Sequence, residues 1–273
     1  MQQHINIRGL VIREVDFGDQ DRYITVLTDS GVKIEVLCRG IRRKGARLAA
    51  AVRLFCYAEL TLYEGRGKYT LNDAALLSSF WDVTQDIEAY ALCCYFAELA
   101  SLMSDSDEPL PAVTRLMLYA LRALCDKKRP LPLVKAAFEL RLLAEAGFAP
   151  QLEACGACGG EPAPPMFSIQ EGTAVCAACA RRLGGAWTAL SGGTFAAMRH
   201  ILASGLPKVF SFSLGEPSAQ QLGTLCEGYT LYHTERGFAS LDFYHSLFQP
   251  AVVVPKREKG NGGGEGRTDG QNR

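Results

Sequence analysis

No apolar stretch of the chain approaches the roughly 20 residues that a membrane-spanning helix needs. The opening residues, MQQHINIRGLVIREV, have no basic n-region followed by an apolar h-region, so they do not read as a secretory signal. Together these absences make the cytoplasm the expected compartment, with no membrane partner. Catalytic signatures are missing as well. No GxxxxGK[ST], GxGxxG, HExxH or GxSxG occurs, which removes the common phosphate-loop, dinucleotide, zincin and serine-hydrolase readings. Histidine is scarce, at four residues, and His200, His233 and His245 fall within helical patterning, where a packed or solvated ring is simpler than a base. Asp19 and Asp21 in GDQDR are close carboxylates, but turn chemistry accounts for them. The expectation is therefore a protein that is not an enzyme. Formal net charge is zero, so only local charge can name a partner.

What the chain has is an ordinary globular composition, 48% hydrophobic and 21% charged over 273 residues, enough for two or three domains. It also has ten cysteines. A reducing compartment keeps thiols free, so disulfides are not expected. Cys38, Cys56, Cys93, Cys94, Cys125 and Cys226 are scattered among apolar residues and read as small hydrophobes in a core. The other four, Cys155, Cys158, Cys176 and Cys179, form C-x2-C-x17-C-x2-C. Two thiolates flanking a two-residue turn can reach one ion, and two such turns complete a tetrahedron. Redox chemistry is the alternative, but it usually needs one CxxC beside a βαβ unit. The reading is one Zn2+, and it is structural, because four cysteines leave no open coordination position.

Residues 1–80 read as five short strands: INIRGLVIREV, RYITVLT, VKIEVLC, FCYAELTLYE and KYTLNDAALL. The turn signals FGDQD, TDSG and GRG separate them. Five strands in so short a segment suit an OB-fold barrel. Helical spacing follows over 84–148, in stripes such as Leu92, Tyr95, Phe96, Leu99 and Val113, Leu116, Met117, Ala120. The third helix ends at GFAP, a glycine cap followed by proline. Helical patterning resumes at 191–202 and 218–234 and in LDFYHSLF. The fold class is thus α+β and multidomain. An OB-fold barrel (1–80) is followed by a helical domain (81–150), a four-cysteine zinc module (151–185) and C-terminal helices packing on the helical domain (186–250). The Gly-rich tail (256–273) is expected to be disordered.

RGIRRKGARLAAAVR holds Arg39, Arg42, Arg43, Lys44, Arg47 and Arg53 and no acid. Gly40 and Gly45 make it a loop between strands. An Arg-rich loop on an OB barrel is a phosphate-contacting device, so Arg39, Arg42, Arg43, Lys44 and Arg47 are the nucleic-acid-binding candidates. The run Lys127-Lys128-Arg129 between two helices reads as a solvated connector.

The order of basic barrel, helical domain and four-cysteine module resembles the bacterial recombination-mediator family RecO, over nearly all of residues 5–250. VIREVDFGDQDRYITVLTDSG is similar to the family's opening hairpin, RGIRRKGARLAAAVRLFCYAEL to its basic loop, and FELRLLAEAGFAPQLEACGACGG to the helix that leads into its cysteine module. The resemblance implies a DNA repair and recombination protein without catalytic activity. Such proteins bind single- and double-stranded DNA and anneal complementary strands. With RecR they help load RecA on DNA coated by single-stranded-DNA-binding protein, in the nucleoid of the bacterial cytoplasm. They engage the acidic, Phe-ended C-terminal tail of that coating protein through the helical domain, where Lys135, Phe138 and Arg141 are candidates. A zinc-ribbon protein-interaction adaptor without direct DNA binding is the rival reading.

Overall fold

The computed structural model describes residues 3–105 and 108–248. The tail over 256–273, and the last two residues of the 186–250 segment, lie outside them. Five strands, β1 (Gln3–Phe17), β2 (Asp21–Thr28), β3 (Lys33–Cys38), β4 (Cys56–Gly65) and β5 (Lys68–Ser79), close into a barrel in the order β1-β2-β3-β5-β4. All pairings are antiparallel except the closing one, where Val36 faces Tyr69 and Leu37 faces Thr70 in parallel. This is the OB-fold. The strand alternation explains it. Val11, Ile24, Val26, Val36, Ala58, Leu60 and Leu62 point inward and fill the barrel. A register shift between Val11 and Arg13 bends β1, as a bulge does.

The described helices are α1 (Ile87–Met103), α2 (Pro111–Asp126), α3 (Leu131–Glu145), α4 (Ala177–Leu183), α5 (Gly192–Ala203), α6 (Glu216–Thr234) and α7 (Ala239–Ser246). Asp86 starts α1: its carboxylate accepts from the Glu88 and Ala89 amides at 3.1 and 3.2 Å and from Lys127 at 3.1 Å. At the end of α3, Gly147 takes φ +92°. Its N–H donates to the Ala144 carbonyl while that of Phe148 donates to Leu143, satisfying two carbonyls left over by the helix. α3 is the central helix, packed against α1, α2, α5 and α6. Phe138 on it is fully buried and stacks on Phe96 with ring centroids 4.0 Å apart. Each such ring contributes about 1.5–3 kcal/mol by leaving water.

The barrel is fastened to this helical core. Leu10, Ile12, Leu27 and Phe55 belong to the same buried cluster as the helices. Thr114 donates its hydroxyl to the Thr28 carbonyl at 2.7 Å, and Lys33 reaches the Ser101 hydroxyl at 3.1 Å. Gly31, at φ +81°, lies so close to Leu110 that an added Cβ would sit 2.1 Å from the Leu110 carbonyl carbon. The cysteine module is built from β6 (Pro165–Ser168), β7 (Thr173–Cys176), β8 (Thr188–Ala189) and α4, with strand order β7-β6-β8. Among the described residues no helix is long and apolar enough to cross a membrane.

Candidate nucleic-acid interface and metal centre

The basic loop leaves the end of β3 and is strapped onto the turn between β1 and β2. Gly40, at φ +62°, donates its N–H to Asp21 Oδ1 at 2.7 Å. The Arg42 amide donates to the Gln20 carbonyl at 3.0 Å, and Arg42 Nη1 to the Gly18 carbonyl at 3.2 Å. Arg43 Nε donates to Gln20 Oε1. The stretch contains no acid of its own, but the fold supplies some. Arg42 pairs with Asp16 at 3.3 Å and Arg47 with Asp73 on β5 at 3.0 Å. Arg53 lays its guanidinium over the Trp81 ring, 3.8 Å from the centroid. The count of six uncompensated bases is thereby corrected: neighbouring strands neutralise two of them and a third stacks on an aromatic ring. Arg39, Arg43 and Lys44 remain exposed and, among the described residues, without an ion pair. The sequence missed these anchors because Asp16 and Asp73 are distant along the chain and adjacent only across the ladder.

The four clustered cysteines converge. Their Sγ atoms all lie within 4.8 Å of one another, where a tetrahedron with metal–sulfur distances of 2.3 Å has edges of about 3.8 Å. Cys155 and Cys158 flank a turn closed by Gly159 N–H donating to the Cys155 carbonyl at 2.8 Å. Cys176 ends β7 and Cys179 lies in the first turn of α4. The Cys176 amide donates to Cys155 Sγ at 3.3 Å, and Arg182 reaches Cys179 Sγ at 3.6 Å. Burial pushes the Cys155 thiol up, but N–H groups of Cys176, Ala157 and Cys158 outweigh it and hold the thiol at about 6. Cys179 is pushed to about 12, first by its hydrogen bond to Cys176, then by burial and its bonds to Cys158 and Cys155. Four sulfurs this close cannot all be thiolates without a cation between them, and the cluster can hold a metal ion. The other six cysteines are free thiols, buried or half-buried. Burial raises the thiol of each, to about 12 at Cys38.

The fold places the partner candidates on α3 as follows. Lys135 is buried between Glu139 and Glu227, at 2.7 Å from each. Phe138 lies in the core. Arg141 pairs with Glu145 at 2.7 Å and donates to the Ile201 and Leu202 carbonyls at 3.0 and 3.3 Å. All three are engaged by other groups of the helical body, although Lys135 also lines the groove between α3 and α6–α7.

Comparison with known proteins agrees with this architecture. The family model for the Recombination protein O N terminal matches residues 1–80, and that for the Recombination protein O C terminal matches residues 84–242. The DNA repair protein RecO of Acetivibrio thermocellus is 31% identical over 246 residues, which is 89% of this chain and 97% of the relative. That of Symbiobacterium thermophilum is 32% identical over 247 residues, again 89% and 97%. With the closed barrel at one end and the cysteine module set among the helices, the chain belongs to the RecO family of DNA repair and recombination proteins.

Proposed function

We propose that this protein is a recombination mediator that acts on DNA by binding and not by catalysis. It holds single- and double-stranded DNA through the loop on its barrel, anneals complementary strands and, with RecR, helps load RecA on strands covered by single-stranded-DNA-binding protein. One observation carries this reading: Arg39, Arg43 and Lys44 stand exposed, with no ion pair among the described residues, on a loop anchored to an OB barrel. Two strands repel through their phosphates. A surface that neutralises phosphates and leaves base edges alone lowers that barrier while the bases stay free to pair. No covalent step is needed.

The cysteine cluster holds one zinc ion, with Cys155, Cys158, Cys176 and Cys179 as ligands. The all-sulfur donor set and the converging thiols support that choice. Four sulfurs fill the coordination sphere, so the ion's contribution is to fold the module. The helical body takes the acidic, Phe-ended tail of the coating protein. A groove between the start of α3 and α6–α7 offers Leu133, Leu214, Leu231 and Tyr244 to a phenylalanine. Arg129, bonded to the Ser213 hydroxyl at 2.7 Å, stands next to Pro130 at its edge and is left for a carboxylate. Glu227 in the same groove is already matched by Lys135 and His245.

The test is single-strand binding measured against salt concentration. On a single strand each phosphate contact contributes about 0.7 unit to the slope of log affinity against log salt. Replacing Arg39, Arg43 and Lys44 together with alanine should lower that slope by up to about two units and weaken binding alike on all sequences. Arg42→Ala should change it less, because that side chain is already committed to Asp16 and Gly18. A triple variant with the wild-type affinity and slope refutes the assignment to the loop. Wild-type protein with no salt-dependent affinity favours the adaptor without DNA binding.

A further inference from the structure

Outside the phosphate-contacting loop, the outer face of the barrel carries an apolar strip that its core does not need. On β1 and β2, Val15 stands opposite Tyr23 and Phe17 opposite Asp21. Tyr23 in turn faces Leu37 on β3, and Leu37 faces Thr70 on β5. Residues two apart share a face of a strand. Val15, Phe17, Tyr23 and Leu37 therefore lie together on the outside, while Ile24 and Val36 between them fill the interior. Phe17 is 53% exposed and Val15 44%. The Phe17 and Tyr23 rings meet edge to face, with centroids 5.2 Å apart and planes at 68°. That contact orients both rings.

The setting gives the strip an occupant. The face of strands 2 and 3, with the turn between strands 1 and 2, is the surface OB-folds use for oligonucleotides. The basic loop is tied to that same turn through the Arg42 bonds to Gln20 and Gly18, which brings its charges to the Phe17 end of the strip. Asp16 is paired with Arg22 and Arg42, while Asp21 accepts from the neutral Gly40 amide and keeps its charge. Among the described residues, the charges without an ion pair at this edge are Arg13, Arg39, Arg43 and Lys44 against Asp19, Asp21 and Glu35. A net positive rim beside the exposed Phe17 ring and the half-buried Tyr23 ring suits a strand with bare bases.

We propose that Phe17 and Tyr23 form a base-stacking platform for single-stranded DNA, working beside the phosphate contacts of the loop. The inference rests on the DNA-binding reading above and deepens it. Stacking is tolerant of sequence, because every base has a π-face, and it is closed to a duplex, whose bases are already stacked. The platform thus distinguishes unpaired from paired DNA, which the loop alone cannot do.

The experiment compares wild-type protein with a Phe17→Leu, Tyr23→Leu double variant, which keeps apolar side chains on the strands and removes the rings. Three labelled probes of equal length are used: oligothymidine, an abasic strand and a duplex. The double variant should lose about fivefold to a hundredfold in affinity for oligothymidine. Its affinity for the abasic strand and the duplex, and its salt slope, should stay at wild-type values, and Phe17→Trp should keep the preference for oligothymidine over the abasic strand. Wild-type binding that is unchanged in the double variant overturns the platform and leaves the loop reading intact. Equal losses on all three probes also overturn it. Wild-type protein that binds none of the probes removes both readings.

Discussion

Lys135 is the place to perturb the helical body, because its loss strands a charge. Its side chain is 6% exposed and that of Glu139 is wholly buried. Glu139 Oε1 accepts from Lys135 at 2.7 Å and from the Tyr95 hydroxyl at 2.8 Å, while Oε2 has no partner among the described residues. Lys135→Met keeps the shape of the stem and removes the cation paired with Glu139. Breaking a buried pair from one side costs about 3–5 kcal/mol, since the remaining charge has neither water nor a counterion. For a body of this size each kcal/mol moves the melting temperature by about 2–4 °C, so the variant should melt roughly 6–20 °C lower at neutral pH. Adding Glu139→Gln removes the stranded charge, retains the bond to Tyr95 and should recover most of the loss. The pH dependence has a definite sign. Burial pushes the Glu139 carboxyl above the ordinary glutamate range, against the pull of Lys135. A group that binds its proton more tightly when folded favours folding at low pH, and that contribution fades as pH rises through its raised value. Without Lys135 the value climbs further, so the gap between variant and wild type should narrow on acidification. Thermal melts followed by helix circular dichroism at neutral and mildly acidic pH measure both effects. A Lys135→Met protein that melts within about 2 °C of wild type would show that the pair is not carrying the buried charge.

Other consequences are open to direct measurement. Elemental analysis should find one zinc per chain, and Cys176→Ser should abolish it and loosen the module, read as rapid proteolysis within 151–185; unchanged metal content excludes this ligand set. Gly31→Ala should destabilise the docking of barrel on helices, because the new methyl meets the Leu110 backbone at a positive φ; calorimetry showing an unchanged single transition would contradict that close approach. Asp86→Ala should cost about 1 kcal/mol as a lost helix cap. Lys127 and the Ala89 and Glu88 amides hold the Asp86 carboxyl low against burial, so its contribution is present at neutral pH and is lost as pH falls through that depressed value. Denaturation midpoints of the two proteins should therefore converge in acid.

The barrel was legible because its strands state their period. ITVLT and KIEVL alternate, and the turn residues between strands fall at positive φ, as Gly18, Gly31 and Gly67 do. The helices were legible for the same kind of reason, down to the Gly147 cap. The elements left unread are those too short to display a period. β6 and β7 have four residues each, β8 has two and α4 has seven. In that stretch the cysteines dominate the sequence, and the little sheet that positions them leaves no pattern of its own. β1 runs two residues beyond the expected end at Val15, to Phe17, because Asp16 and Phe17 continue the ladder with Arg22 and Asp21. Hydrophobicity says nothing about that extension.

Charge is less legible in the sequence than pattern, for one physical reason. The basic loop was counted along the chain, where it has no acid, although Coulomb's law counts through space. Asp16 and Asp73 stand against it only because a hairpin and a barrel closure bring them there. On α3 the resemblance makes Lys135 and Arg141 candidates to meet an acidic tail. Yet in LPLVKAAFELRLLAE the charges stand at Lys135, Glu139, Arg141 and Glu145, two pairs each four residues apart, and everything else is apolar. Both pairs close on themselves in the structure, at 2.7 Å each. A helix that is apolar on every side is a buried helix, and its few charges must find one another. Read that way, the spacing removes these residues from the surface. On the proposed tail binding, the cation at the groove is Arg129 in the connector before α3, whose side chain donates to the Ser213 hydroxyl.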